Sequence, residues 1–152
     1  MPKRCVSLLV LLLLAGCTRA PLRISPTPMA TAAPPAFVSA PAEVAIPQLI
    51  AAEREASRRG DLATLAQLWA PDGRIVDSRG TADPGDDFVW PNHDAILDRY
   101  VVAVFPAPPP ALDGPPKPTL SMEGNQVQAI NGHDRLLFAN TGGRWWIAEL
   151  RY

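Results

Sequence analysis

Gly60-Asp61-Leu62-Ala63-Thr64-Leu65-Ala66-Gln67-Leu68-Trp69, with Pro71-Asp72-Gly73 just behind it, holds a helix stop, a helix start and a second stop in one short run. Gly60 can take the left-handed conformation that ends a helix, and Asp61 can accept from the bare amides of the next. Leu62, Leu65, Leu68 and Trp69 recur at helical spacing and predict one inward face. Pro71 halts that helix and Asp72-Gly73 signals a turn. Arg74-Ile75-Val76-Asp77-Ser78 then reads as a short strand closed by Gly80. Two helices running directly into a strand make the first half of an α+β domain.

Upstream, Pro47 suits a helix first turn, and Leu49, Ile50 and Ala56 give residues 48–59 a modest apolar face. Downstream, residues 81–91 form a polar loop containing Asp83, Pro84, Gly85, Asp86 and Asp87. Asn92 is the expected cap of a third helix, where Ile96, Leu97, Tyr100, Val101, Val104 and Phe105 recur at helical spacing until Pro106. Seven prolines between Pro106 and Pro118 exclude regular structure there. Residues 119–122 and 126–130 flank Glu123-Gly124-Asn125, and residues 135–139 and 144–151 flank Thr141-Gly142-Gly143, predicting two hairpins. Strict alternation in the last strand puts Trp146, Ala148 and Leu150 on one side and Trp145, Ile147 and Glu149 on the other. Apolar residues on both sides predict cover on both, by the helices and by a second copy of the chain.

This order of elements is similar to the nuclear transport factor 2-like fold. The residues that carry the likeness are Gly60 to Trp69, Asp72-Gly73-Arg74-Ile75-Val76-Asp77, His93-Asp94-Ala95-Ile96-Leu97-Asp98-Arg99-Tyr100 and Gly143-Arg144-Trp145-Trp146-Ile147. They resemble the SnoaL-like branch in particular. The resemblance implies an α+β cone in which three N-terminal helices pack on a curved, mainly antiparallel sheet. It also implies a pocket between helices and sheet. Such scaffolds host isomerases, cyclases, dehydratases and domains without catalysis, so function must be argued from the site. The 81–91 loop and the proline-rich 106–118 segment depart from the common pattern and would remodel the pocket mouth.

The other end of the chain gives an address. Lys3 and Arg4 precede an uncharged apolar run from Val6 to Ala15, which ends in Leu14-Ala15-Gly16-Cys17. That architecture reads as a secretory signal, and the run is well short of the roughly 20 residues a span needs. With cysteine directly after the cut site, it resembles a bacterial lipoprotein signal. The resemblance implies that Cys17 receives a diacylglyceryl thioether, becomes the N-terminus and is then acylated, for example with palmitate. Thr18, not being aspartate, would by the same resemblance favour the outer membrane where the host has one. The chain has two cysteines. Cys5 leaves with the signal and Cys17 is consumed by lipid, so no thiol remains for a disulfide, a metal or a nucleophile.

The domain boundaries follow: residues 1–16 a signal peptide, 17–46 the lipidated cysteine and a proline-rich tether, 47–152 the folded domain. The tether carries Pro21, Pro26, Pro28, Pro34, Pro35 and Pro41. It should be extended, with a reach on the order of 90 Å at about 3.1 Å per residue. With 14 basic and 15 acidic residues and no basic stripe, nucleic acid is not an expected partner.

The candidate site residues are few. Asp77, at the strand end, would be a general base if burial raised its pKa, but a solvated carboxylate paired with Arg79 or Arg74 is the commoner outcome. Tyr100 would donate to a ligand oxygen or, more ordinarily, pack its ring and satisfy its hydroxyl internally. His93 is weighed as a pocket acid–base against a role at the helix start. Trp69, Trp90 and Trp146 complete the candidate pocket wall, with Trp90 expected as a lid or a plug at the core edge. His93-Asp94 and His133-Asp134 offer too few ligands for a metal, and the acidic loop lacks calcium spacing, so neither metal nor cofactor is expected. The expected function is a membrane-anchored, extracytoplasmic domain that binds a small apolar ligand or an envelope protein without catalysis. The alternatives are a SnoaL-like isomerase, cyclase or hydrolase, and a structural envelope protein with a filled pocket.

Overall fold

Packing of three helices against one face of a six-stranded sheet organises the chain, and the computed structural model describes residues 40–152 of it. The signal segment, Cys17 and the tether up to residue 39 lie outside the described residues. The first helix, α1 (Ala42–Arg59), ends at Gly60 in the left-handed conformation, φ 68° and ψ 29°. Asp61 then caps α2 (Leu62–Leu68), accepting from the Thr64 amide at 3.0 Å and the Thr64 hydroxyl at 2.7 Å. Both signals act as the sequence predicts.

The start of α1 differs from expectation. The helix begins at Ala42 rather than at Pro47, which sits inside it. Ala42, Ala45, Ile46 and Leu49 form a helical stripe that is almost wholly buried. Burial of Ile46 alone is worth roughly 1.5–3 kcal/mol, comparable with the penalty of about 3 kcal/mol for an internal proline. The Trp145 indole N–H also donates to the Ala40 carbonyl at 3.0 Å, fastening the helix start to the sheet. Residues 42–46, expected in the tether, therefore belong to the folded domain.

Strand β1 (Trp69–Asp77) starts where α2 stops, earlier than the predicted strand, with its register interrupted between Trp69 and Arg74. Trp69 is thus the first strand residue rather than the last of the helix. The interruption folds the backbone tightly: a Cβ on Gly73 would lie 3.0 Å from the Ala70 carbonyl oxygen and 3.2 Å from the Trp69 ring. β2 (Phe88–Trp90), inside the stretch expected to be loop, pairs antiparallel with β1. α3 (His93–Arg99) is capped by Asn92, whose side chain accepts from the Ala95 amide at 2.9 Å. It continues not as α-helix but as a π-helical turn over Tyr100–Val104, closed by the Phe105 amide donating to the Tyr100 carbonyl. The proline-rich connection is irregular, as expected, and leads into β3 (Thr119–Glu123), β4 (Gln126–Asn131), β5 (Asp134–Thr141) and β6 (Arg144–Arg151).

The sheet order is β2-β1-β6-β5-β4-β3, with only β1 and β6 parallel among its pairs. Gly142 and Gly143, both with positive φ, join β5 to β6 in the two-residue form that strand twist favours. Inward residues from the strands (Ile75, Val127, Ala129, Phe138, Ile147) meet Leu65, Leu68, Ile96 and the α1 stripe in one core. β6 does not alternate strictly. Leu137 pairs with Glu149 but Phe138 pairs with Ile147, so Ala148 bulges out of register. Trp145 and Ile147 face the core before the bulge and Leu150 after it, while Glu149 turns outward to Arg74.

The cap gives a direct test. Asp61→Ala is expected to lower stability by about 1 kcal/mol, read as a shift in the urea midpoint, with Asp61→Asn keeping most of it. The Thr64 amide and hydroxyl hold the Asp61 carboxyl below its ordinary value of 3.8. A lowered folded-state pKa adds stability above the unfolded value and loses it as pH falls. The difference between wild type and Asp61→Ala should therefore shrink on acidification below that range.

Candidate functional site

Tyr100 is a tyrosine on the apolar stripe of α3, and its burial is nearly complete at 1% exposure. A buried hydroxyl must find partners, and this one has two. It donates to Glu53 Oε1 on α1 at 2.6 Å and accepts from the Trp69 indole N–H at 3.2 Å. Ser57, one turn along α1, donates to the same Glu53 oxygen at 2.9 Å. Burial first, then the Glu53 charge, push the phenol well above its ordinary range, so Tyr100 holds its proton and acts as the donor.

Two members of this network, Glu53 and Tyr100, line an open cleft of about 220 Å³. α1 supplies Glu53 and Arg54, the end of α3 and its π turn supply Arg99, Tyr100 and Val104, and Asp134, Leu150 and Tyr152 complete the lining. Arg99 is held by aromatic rings rather than by acids. Its guanidinium carbon lies 5.0 Å from the Trp90 ring centre, 5.4 Å from Tyr152 and 5.8 Å from Tyr100, and its Nη2 donates to the Tyr152 hydroxyl at 2.9 Å. Arginine ion pairs elsewhere join Arg58 and Arg59 to Glu55, Arg59 to Asp61, Arg74 and Arg151 to Glu149, and Arg151 to Asp87. Neither Arg54 nor Arg99 has a carboxylate within 4.0 Å among the described residues. Asp134 is half-buried, and burial raises its pKa against the opposing pull of Arg54 and His133.

The residues expected from sequence are dispersed. Trp69 and Tyr100 are brought into hydrogen-bond contact, and Trp90 reaches the cleft only as a platform for Arg99. Asp77 is not in the lining; its carboxylate accepts from the Arg79 amide at 2.8 Å and shapes the turn in which Arg79 has φ 52°. His93 donates from Nε2 to the Ala66 carbonyl at 3.0 Å, pinning the start of α3 to α2, and is also outside the lining. Trp146 faces away from the core, stacked under the Arg144 guanidinium at 3.9 Å. Glu53, Arg54, Arg99, Asp134 and Tyr152 were not foreseen; the Glu53–Ser57 spacing on α1 is the only sequence signal that points towards them. The lining mixes four charged side chains with its apolar residues, so it is not the apolar wall expected.

Two substitutions probe this geometry. Tyr100→Phe leaves the buried Trp69 N–H without its acceptor and removes one of the two hydroxyl donors to Glu53, and should cost about 1–3 kcal/mol, measured by chemical denaturation. Asp134→Asn should act in the opposite direction. A carboxyl whose pKa is raised on folding favours the folded state below its unfolded pKa, and that advantage is lost as pH rises through the raised value. Asp134→Asn should therefore raise the melting temperature at pH about 7 and lose that gain near pH about 3.

Compared with known proteins, the chain matches no protein-family model and no curated protein. Solved structures do resemble it. A nuclear transport factor 2-like protein with a cystatin-like fold from Novosphingobium aromaticivorans superimposes with TM-score 0.51 at 22% identity, covering 70% of this chain and 77% of that one. A nuclear transport factor 2-like superfamily protein from Salmonella enterica serovar Typhimurium gives TM-score 0.52 at 16% identity, covering 70% and 86%. LinA gives TM-score 0.50 at 14% identity, covering 70% and 80%. At these identities the likeness concerns architecture, and the chain has the nuclear transport factor 2-like α+β fold, with helices packed on a six-stranded, mostly antiparallel curved sheet.

Proposed function

We propose that this chain is an extracytoplasmic lipoprotein, anchored through acylated Cys17, whose folded domain is a binding module and not an enzyme. One observation carries the second half of that reading: the side chains suited to acid–base work are already engaged inside the protein. Tyr100 is committed to Glu53 and Trp69, His93 to the Ala66 carbonyl, and Asp77 to the Arg79 amide. Between helices and sheet, Trp69, Tyr100, Phe138, Ile147 and their neighbours pack together and are nearly inaccessible to water. Space for a ligand is offered by the open cleft beside them. A basic leader, a short apolar run and Cys17 at the cut site support the anchor. A homodimer through the outer sheet face is part of the proposal, with Trp146, Leu137 and Ile130 as its apolar contacts.

An acid–base enzyme is the second reading, favoured by Glu53, a carboxylate in the cleft wall 2.6 Å from the Tyr100 hydroxyl. LinA, whose type 2 form carries the name hexachlorocyclohexane dehydrochlorinase, is an example of an enzyme on this architecture.

Native mass spectrometry of the full chain, extracted from its own host in mild detergent, tests the proposal. The expected spectrum has the mass of a triacylated chain beginning at Cys17, in dimeric form, with a further small molecule bound. Labelled palmitate should enter this chain and be absent from Cys17→Ser. An unacylated chain overturns the anchor, a monomer overturns the dimer, and no bound molecule overturns the binding module.

A further inference from the structure

The cleft gathers four charged side chains, and although Arg54 lies near enough to act on Asp134 electrostatically, none of the four forms an ion pair within 4.0 Å among the described residues. Arg54 and Arg99 have no carboxylate within 4.0 Å among the described residues. Glu53 takes hydroxyl donors from Tyr100 and Ser57 on Oε1 alone, leaving Oε2 without a donor among the described residues. Asp134 accepts no side-chain or capping hydrogen bond there either, although it is half-buried and desolvation raises its pKa. Surface charges of this kind usually dissolve into water; these four line one concavity. Arg99 is moreover fixed: three aromatic rings and the Tyr152 hydroxyl hold it without neutralising it, so its remaining N–H groups stay available in a set orientation.

A ligand of one sign would satisfy two of these groups and be repelled by the other two. A ligand carrying both signs satisfies all four. Two planar guanidiniums match the oxygens of a carboxylate, and two carboxylates match the three donors of an ammonium. The volume of about 220 Å³ suits a molecule with few heavy atoms. Val104 and Leu150 add an apolar patch for a short side chain.

We infer that the cleft between α1, α3 and β6 binds a small zwitterion of the amino-acid type, its carboxylate on Arg99 and Arg54 and its ammonium on Asp134 and Glu53. This inference rests on the binding-module reading and narrows it. It also gives a direct partner to Asp134, which is half-buried and accepts no side-chain hydrogen bond among the described residues.

Titration calorimetry on the full chain in detergent, with L-alanine, propionate and ethylamine as matched probes, tests it. L-alanine is expected to bind about tenfold or more tightly than either single-charge probe, the loss for one charged hydrogen bond. Asp134→Asn should weaken L-alanine and, by removing a like charge, strengthen propionate, whereas Arg99→Gln should weaken both; the strengthened propionate response reports that Asp134→Asn is folded. Equal binding of propionate and L-alanine overturns the inference. So does failure of all three probes. In that last case a different small molecule carried by the chain in native mass spectrometry leaves the binding module standing, and an empty spectrum removes both.

Discussion

The hydroxyl of Tyr100 is the point on which the molecule turns. It joins three elements that are far apart in sequence: Trp69 at the head of β1, Glu53 in the middle of α1, and the π turn that continues α3, which it opens. Each partner constrains the others. The Trp69 indole cannot be buried without an acceptor, and Glu53 cannot lie against the core without a donor. Replacing the hydroxyl with nothing strands the buried Trp69 N–H and removes one of the two donors to Glu53, so the hydrogen bonds specify where α1 and α3 meet the sheet as much as they stabilise it. The π turn that begins at the same residue widens the helix there, and such turns recur at functional sites.

The same arrangement separates the interior from the cleft. Inside, the core is mostly apolar, with the hydroxyls of Tyr100 and Ser57 and the Trp69 N–H engaged in hydrogen bonds. Outside the Tyr100 wall, charged residues from α1, α3 and β5 gather around a small opening. The cleft itself opens between the helices and the sheet, beside the buried Trp69, Phe138 and Ile147. The cleft lining is polar and mixed in sign, and on the binding-module proposal it suits a charged ligand better than an apolar one.

Much of the fold was legible because it depends on local signals. Gly60 and Asp61 define a helix junction through backbone geometry and a two-residue cap, and Gly142-Gly143 define a hairpin the same way. The errors came where tertiary contacts override local preference. Pro47 argued for a helix start, but burial of Ala42, Ala45 and Ile46 draws the helix past it. Ala148 breaks the alternation of β6 because the bulge lets Leu150 reach the core, which no periodicity rule announces. The site was less legible still. Tyr100 and Trp69 stood out as large residues on apolar stripes, but Glu53, Arg54, Arg99 and Asp134 look like ordinary surface charges until folding sets them around one opening. Asp77 and His93 were attractive by residue type, and both turned out to serve local geometry.

The margins of the sheet have a consequence of their own. An open sheet ends in two strands whose outer amides and carbonyls could recruit another polypeptide edge to edge. Here one margin is the three-residue β2, bounded by Pro91, with the Arg79 guanidinium 5.7 Å over Phe88. The other is β3, entered directly from Pro118. Short, proline-bounded borders of this sort make poor templates for fibril growth, so a domain with an apolar, tryptophan-rich interior keeps its backbone from joining a cross-β stack.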